Sequence, residues 1–349
     1  MRPGSIKQTP CNGCSQSRPA GPITGRHGRG SGQTSLLMRV YFLQKRGIMQ
    51  RISSIWPVLA ALSVLAAAAS GSSGDTSKGL LDQKQKIAGA AINLTSYAYV
   101  IDAAADVLLL NSTREARSNI TSHTAGAVDI AKGMAALSVT NRRDGRVVRE
   151  HSSYLINGTL YSSAGRAWQK QAVPNSTLAM RTFDEMRGQS GMLSYSDMSL
   201  VGSDAADGRE SLRVVSTPTE GIRGMLIRGQ IIGAYFTLAG RTLNLTMDDV
   251  VKNSRLMNQS TVRLTSWIDP ESGLLLKNEM NVVLSTTPEV LSLPGGESLN
   301  IDMTQTSMFR EFDQPTGIEL PDEARDAVSP VPANGSKKDC SFCSQGITA

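Results

Sequence analysis

Residues 261–284 leave little conformational choice. TVRLTSWI alternates in polarity, DPESG interrupts it, and LLLKNEMNVVL alternates again. Asp269-Pro270 is suited to opening a type I turn, and Gly273 supplies the left-handed residue that closes it. On the return strand Leu274, Leu276, Met280, Val282 and Leu284 are expected on a buried face, with Lys277, Glu279 and Asn281 on a wet one. A second hairpin is marked by Asn157-Gly158 between residues 154–156 and 159–161, because both turn positions require positive φ. Period-two patterns recur at 97–110, 127–140 and 147–163 and again at 298–315, and SDAADG (203–208) reads as another hairpin loop. A chain written this way builds a large antiparallel sheet.

Helical spacing is confined to a few places. In 76–92, Leu80, Ile87 and Ala91 lie beside Leu81, Ala88 and Ile92 on one helical face. Short helices are predicted around 176–187 (Ala179, Phe183, Met186), after a capping box at Thr217-Pro218-Thr219-Glu220, and after Thr246 and Asp249. No linker-like stretch divides residues 76–328, which read as one domain, and the composition from Ser329 onward is that of a tail. The fold class is therefore α+β: a curved antiparallel sheet, or half-barrel, wrapped around an N-terminal helix and short inserted helices.

Charge is unevenly placed. Residues 1–51 hold nine of the 36 Lys and Arg and no acid, so the remainder has 27 basic against 30 acidic side chains. The basic character belongs to the leader, and a nucleic-acid partner, which needs a basic stripe on the domain, is excluded. Within 49–71 a basic stretch, an apolar run from Ile52 to Ala69 and small residues follow one another, the order of a signal peptide. An uncleaved membrane anchor is the alternative. Because signal peptides begin chains, translation is expected to start at Met49 or Met38, with 1–48 outside the mature protein.

Downstream, N-x-S/T occurs at Asn93, Asn111, Asn119, Asn157, Asn175, Asn244, Asn258 and Asn334, eight of the 13 asparagines after position 75. With Ser and Thr about a fifth of this region, chance would give roughly two or three. The enrichment implies a glycosylated, extracytoplasmic protein, secreted or at the cell surface.

The order helix, TSYAYVIDA, YLINGTLYSSAGRAWQKQ, SWIDPESGLLLKNEM, FREFDQPTGIELPDEARDA resembles the bacterial lipoprotein-carrier superfamily. That group includes LolA, LolB and the mycobacterial LppX and LprG, and the likeness is greatest to glycosylated archaeal members. It spans about 76–328 and implies a half-barrel with an apolar cavity between sheet and helices, and a lipid or other apolar ligand as partner. Contact with a membrane surface during ligand transfer is implied too. Tyr97, Tyr99, Met134, Leu160, Tyr161, Trp168 and Met280 are the cavity candidates, each of which could equally pack the core. The chain departs from the bacterial carriers in lacking a lipoprotein cysteine and in its sequon load. A cell-surface structural or adhesive module without a ligand is the competing function.

No catalytic, cofactor or metal pattern is present in the sequence. His123 and His151 have no ligand-spaced partners in the sequence, Gly188-Gln189-Ser190-Gly191 lacks the second glycine of a nucleophile elbow, and Gly221, Gly224, Gly229 and Gly233 match no phosphate-binding fingerprint. Trp168 and Trp267 read as core anchors. Four cysteines form CNGC (Cys11, Cys14) and CSFC (Cys340, Cys343). With the first pair in the leader, Cys340 and Cys343 are expected to form a local disulfide rather than half of a zinc site.

Overall fold

The computed structural model describes residues 75–111, 113–164 and 167–329. The segments read above as leader and signal peptide, both cysteine pairs, Asn334 and the residues beyond 329 lie outside the described residues. Helix α1 (Asp75–Asn93) precedes strands β1 (Ser96–Leu110), β2 (Glu115–Asp129), β3 (Met134–Arg143), β4 (Arg146–Ile156), β5 (Thr159–Ala164) and β6 (Ala167–Ala172). Helices α2 (Ser176–Met180) and α3 (Glu185–Ser194) lead into β7 (Ser196–Ala206) and β8 (Arg209–Pro218). Then come α4 (Glu220–Ala239), α5 (Met247–Val251), α6 (Ser254–Gln259), β9 (Thr261–Ile268), β10 (Leu275–Thr286), β11 (Ser298–Arg310) and α7 (Asp322–Arg325).

The strands form one open, curved, eleven-stranded antiparallel sheet in the order β6-β5-β4-β3-β2-β1-β11-β10-β9-β8-β7. Its centre is β1 against β11, paired from Ala98–Arg310 to Leu110–Ser298. Along β1 every odd residue from Tyr97 to Leu109 is buried while the even ones from Ala98 on are half-buried or exposed, so one face is covered by helices and the other is wet. Leu226, Ile227 and Ile231 of α4 are fully buried and belong to the same core cluster as the inner residues of the sheet. Each contributes roughly 1.5–3 kcal/mol by leaving water.

The turns follow their chemistry. Asn157-Gly158 has φ of 50° and 72°, as a two-residue hairpin of this type demands. Asp207-Gly208 repeats it with 53° and 76°, so the loop expected at 203–208 shrinks to two residues and 203–206 belong to β7. Gly273 has φ 78° and its N–H donates to Asp269 O at 2.9 Å, closing the DPESG turn.

Several expectations are corrected. Residues 127–140 are not one strand: they hold the end of β2, a turn at 130–133 and the start of β3. The helix expected across 176–187 is two helices, because Asn175 caps α2 and Asp184 starts α3 afresh by accepting from Arg187 N. Pro218 is still paired with Ser196 in the sheet, so it cannot be the first helical residue, and Thr219 makes no side-chain cap. The helix that follows is not short. It runs 20 residues to a left-handed Gly240, and at Gly224 a Cβ would lie 2.5 Å from Val251 Cγ2, so that glycine lets α5 pack on α4. The capping box at Thr246 and Asp249 is present with both of its hydrogen bonds. On β10 a bulge between Leu275 and Lys277 shifts the register. Leu275 joins the inner core and Leu276 turns outward to pack with Trp267 and Ala206, while Asn278 takes the inner position beside Met280.

Candidate functional site

The helix-covered face carries a buried polar core inside an apolar one. At the start of α3, Met186 N–H donates to Tyr97 Oη at 3.1 Å, and the Tyr97 hydroxyl donates to Asp184 Oδ1 at 2.9 Å. One turn on, Gln189 Nε2 donates to Ser307 Oγ at 2.8 Å and its Oε1 accepts from Asn278 Nδ2 at 3.1 Å. Asn278 Oδ1 in turn accepts from Ser266 Oγ at 2.8 Å. A chain of hydrogen bonds thus fastens α3 to β1, β11, β10 and β9, each group satisfied where water is excluded.

Charge in this layer is held in different ways. Asp184 faces Arg187 Nη1 at 3.3 Å, and Arg187 also donates to Ala91 O (3.2 Å) and Ile92 O (2.9 Å), the last carbonyls of α1. A cation there answers the negative end of that helix. Burial raises the Asp184 carboxyl, opposed by Arg187 and by the Tyr97 hydrogen bond. Glu185 is 8 % exposed. Burial pushes its carboxyl up to about 8, against the hydrogen bond with Gln189 and reinforced by the Asp184 charge. Tyr97 and Tyr99 are held well above the usual phenol range, chiefly by burial. Tyr99 sits in an aromatic group with Tyr97 and Phe309, at ring-centroid distances of 5.9 and 6.4 Å, directly over Gly126 of β2.

The seven cavity candidates do not converge. Tyr97, Tyr99 and Met280 lie together in the core under the helices, and Leu160, opposite Leu155, is on the same face further along the sheet. Met134, Tyr161 and Trp168 are on the other face, so the inward placement expected for them is corrected. Met134 pairs with Asp129, one residue out of phase with the inward Ala135–Val128 pair. Tyr161 follows Leu160 on one strand and pairs with Tyr154, whose ring is 5.8 Å from Trp168. Adjacent residues of a strand cannot share a face. Trp267 is buried, but in a small outer cluster, with Lys277 Nζ 4.4 Å and Arg213 Cζ 5.7 Å from its ring centroid.

Sequence patterning had no signal for several other features. A cavity of about 370 Å³ opens at one end of the sheet, between Arg209, Asp269, Glu271, Leu274, Glu311 and Phe312 among others. Its lining is largely polar, and none of the seven candidates borders it. His123 Nδ1 lies 2.7 Å from Asp102 Oδ1, an exposed pair made by cross-strand register between β1 and β2. His151 is buried and its pKa is lowered by burial. Its Nδ1–H donates to the Ser163 carbonyl, which leaves Nε2 to accept from Ser153 Oγ at 2.7 Å. That serine–imidazole contact joins two side chains buried on one strand, as a satisfied core pair does. Among the described residues no group of three or more His, Cys, Asp or Glu could hold a metal ion, and no helix is long and apolar enough to cross a membrane.

The asparagines divide by context. Asn93, Asn119, Asn157, Asn175, Asn244 and Asn258 are exposed and Asn111 is half-buried. The five outside sequons (Asn141, Asn253, Asn278, Asn281, Asn300) are buried or half-buried.

No family model matches the chain, and no curated protein matches it. Among solved structures it is similar to LprF from Mycobacterium bovis, with 14% identity over 70% of this chain and 97% of that one, at a TM-score of 0.35. The lipoprotein LppX from Mycobacterium tuberculosis gives 12%, 69% and 99% at 0.31. A LolA superfamily protein from Nitrosomonas europaea gives 9%, 69% and 94% at 0.19. The fold described above rests on this chain's own strand pairing and not on these similarities.

Proposed function

We propose that the protein is an exported, glycosylated binding protein or carrier for lipids or other apolar ligands, and that it holds the apolar part of the ligand between sheet and helices. The observation that carries this reading is the composition of that interface. Met180, Met186, Met192, Met198, Met257, Met280 and Met303 are all buried in the single large core cluster. Methionine is unbranched and polarizable, so such an interior can repack around an acyl chain. An open curved sheet also leaves its helices attached on one side only, so they can move without breaking strand pairing. Tyr97, Tyr99, Leu160 and Met280 are the candidates placed to meet such a ligand.

The exposure of the sequon asparagines supports an extracytoplasmic location, since glycan acceptors must be reached from water. Transfer of ligand at a membrane surface belongs to the same proposal. No catalytic step is assigned, and the Ser153–His151 pair is given a structural role.

A glycosylated surface module without a ligand is favoured by one observation: helix and sheet side chains already form one contiguous buried cluster. Titration with a fluorescent fatty acid separates the two. Saturable one-to-one binding with blue-shifted emission supports the carrier. A signal that stays linear and unsaturated with added probe supports the module.

A further inference from the structure

We propose that docking of α3 on the sheet is proton-controlled: the helix closes over the inner face while Glu185 is protonated and is released as that carboxyl ionises. For its use in ligand uptake this rests on the carrier reading; its test does not. Glu185 stands in the first turn of α3, beside the N-cap Asp184. Asp184 takes the charge compensation available there, from Tyr97 and from Arg187, whose Nε and Nη2 are committed to α1 carbonyls. A second negative charge at 185 would have to be buried next to the first.

Among the described residues no other charged group acts to neutralise it. Arg181 acts on Asp184, and Lys84 of α1 donates to Ser196 O at 2.6 Å. From β1 the facing groups are Tyr97 and Tyr99, which burial keeps un-ionised. The inner positions near α3 on β7, β8, β10 and β11 are Met198, Ser216, Asn278, Met280, Gln305 and Ser307, none titratable. The helix α3 is attached both by the buried Met186, Met192 and Leu193 and by the Gln189–Asn278–Ser307 hydrogen bonds, groups that water can satisfy once the helix lifts.

The direction follows from linkage. The docked carboxyl titrates near 8 and a solvated one near its ordinary 4.5. The docked helix therefore retains a proton that the lifted helix gives up. Lifting becomes easier by up to about tenfold per pH unit from roughly pH 5 to pH 8 and levels off above that. Low pH closes the interface and neutral pH loosens it.

Native-state hydrogen exchange on the full protein tests this, with rates corrected for intrinsic pH dependence at pH 5.5, 6.5, 7.5 and 9. The expected result is protection in residues 189–194 that falls by up to about tenfold per unit to pH 8 and then flattens. Amides of β1 should stay protected throughout, and Glu185→Gln should hold the protection of α3 constant. Glu185→Met, close in volume, serves if the glutamine variant does not fold. Wild-type α3 protection independent of pH, an unchanged slope in the variant, or parallel loss in β1 would each overturn the proposal. Absence of fatty-acid binding would remove the carrier function and leave these exchange outcomes as they are.

Discussion

A Cβ added at Gly126 would lie 2.3 Å from Tyr99 Cζ, 2.5 Å from its hydroxyl and 2.6 Å from Cε1. Ordinary carbon contacts need about 3.5–4.0 Å, so in Gly126→Ala the ring must retreat by more than about 1 Å. Tyr99 is 3 % exposed and flanked by Tyr97 and Phe309, so its retreat displaces the aromatic group that also positions the Tyr97–Asp184 hydrogen bond. Overpacking of this kind costs roughly 1–3 kcal/mol, and a rigid ring buried between Tyr97 and Phe309 places this case near 3. In urea unfolding the midpoint should fall by that free energy divided by the slope, with the slope itself unchanged. In a Tyr99→Leu background, where the ring is gone, adding Gly126→Ala should cost less than about 1 kcal/mol, a coupling of about 2. A cost within about 0.5 kcal/mol of zero in the wild type, or one undiminished in the Tyr99→Leu background, would refute the packing described here.

Other outcomes follow from the same side chains. Asn278→Leu leaves Gln189 Oε1 and Ser266 Oγ without their partners in the core. A loss of roughly 2–4 kcal/mol is expected in the same urea assay, which a solvent-exposed Asn278 would not show. His151 is buried with a lowered pKa, so it enters the folded state neutral and the unfolded chain takes up the extra proton. Its contribution to stability should therefore fall as pH drops below about 6.5, opposite in sign to that of Glu185. Between about pH 6.5 and 5, stability should rise more steeply on acidification in His151→Asn than in the wild type. Asn93, Asn119, Asn157, Asn175, Asn244 and Asn258 are exposed sequon sites. Peptide mapping after amidase deglycosylation of native protein should convert these asparagines to aspartate, and a map with none converted contradicts an exported glycoprotein.

Where local chemistry alone sets the backbone, the sequence was readable. Asn157-Gly158 and DPESG specify their turns without help from the rest of the chain. On α1 Ile87 and Ala91 are buried as the spacing expects, whereas Ile92, expected on the same face, is exposed. Strand β2 was not legible, because its inward positions include Ser118, Ser122, Thr124 and Gly126, hydroxyl groups and a glycine that break the apolar alternation. The long helix α4 was obscured by its glycines, and the reason for Gly224 is contact with α5, a helix that comes later in the chain. Facing was misread where counting by two fails. One bulge turns Leu276 outward, and a list containing both Leu160 and Tyr161 could not be right for a single strand. The polar core was beyond reach in principle, since Gln189 meets Asn278 and Ser307 at separations of 89 and 118 residues. The His123–Asp102 pair likewise exists only through register.

Whether the helix–sheet interface holds an apolar ligand is tested most directly by extracting the natively purified protein with organic solvent and analysing the extract by mass spectrometry. An acyl lipid at about one per protein, lost when the protein is refolded from denaturant without lipid, is the predicted result. A clean extract from protein that also fails to bind a fluorescent fatty acid would contradict it and leave the glycosylated surface module in its place.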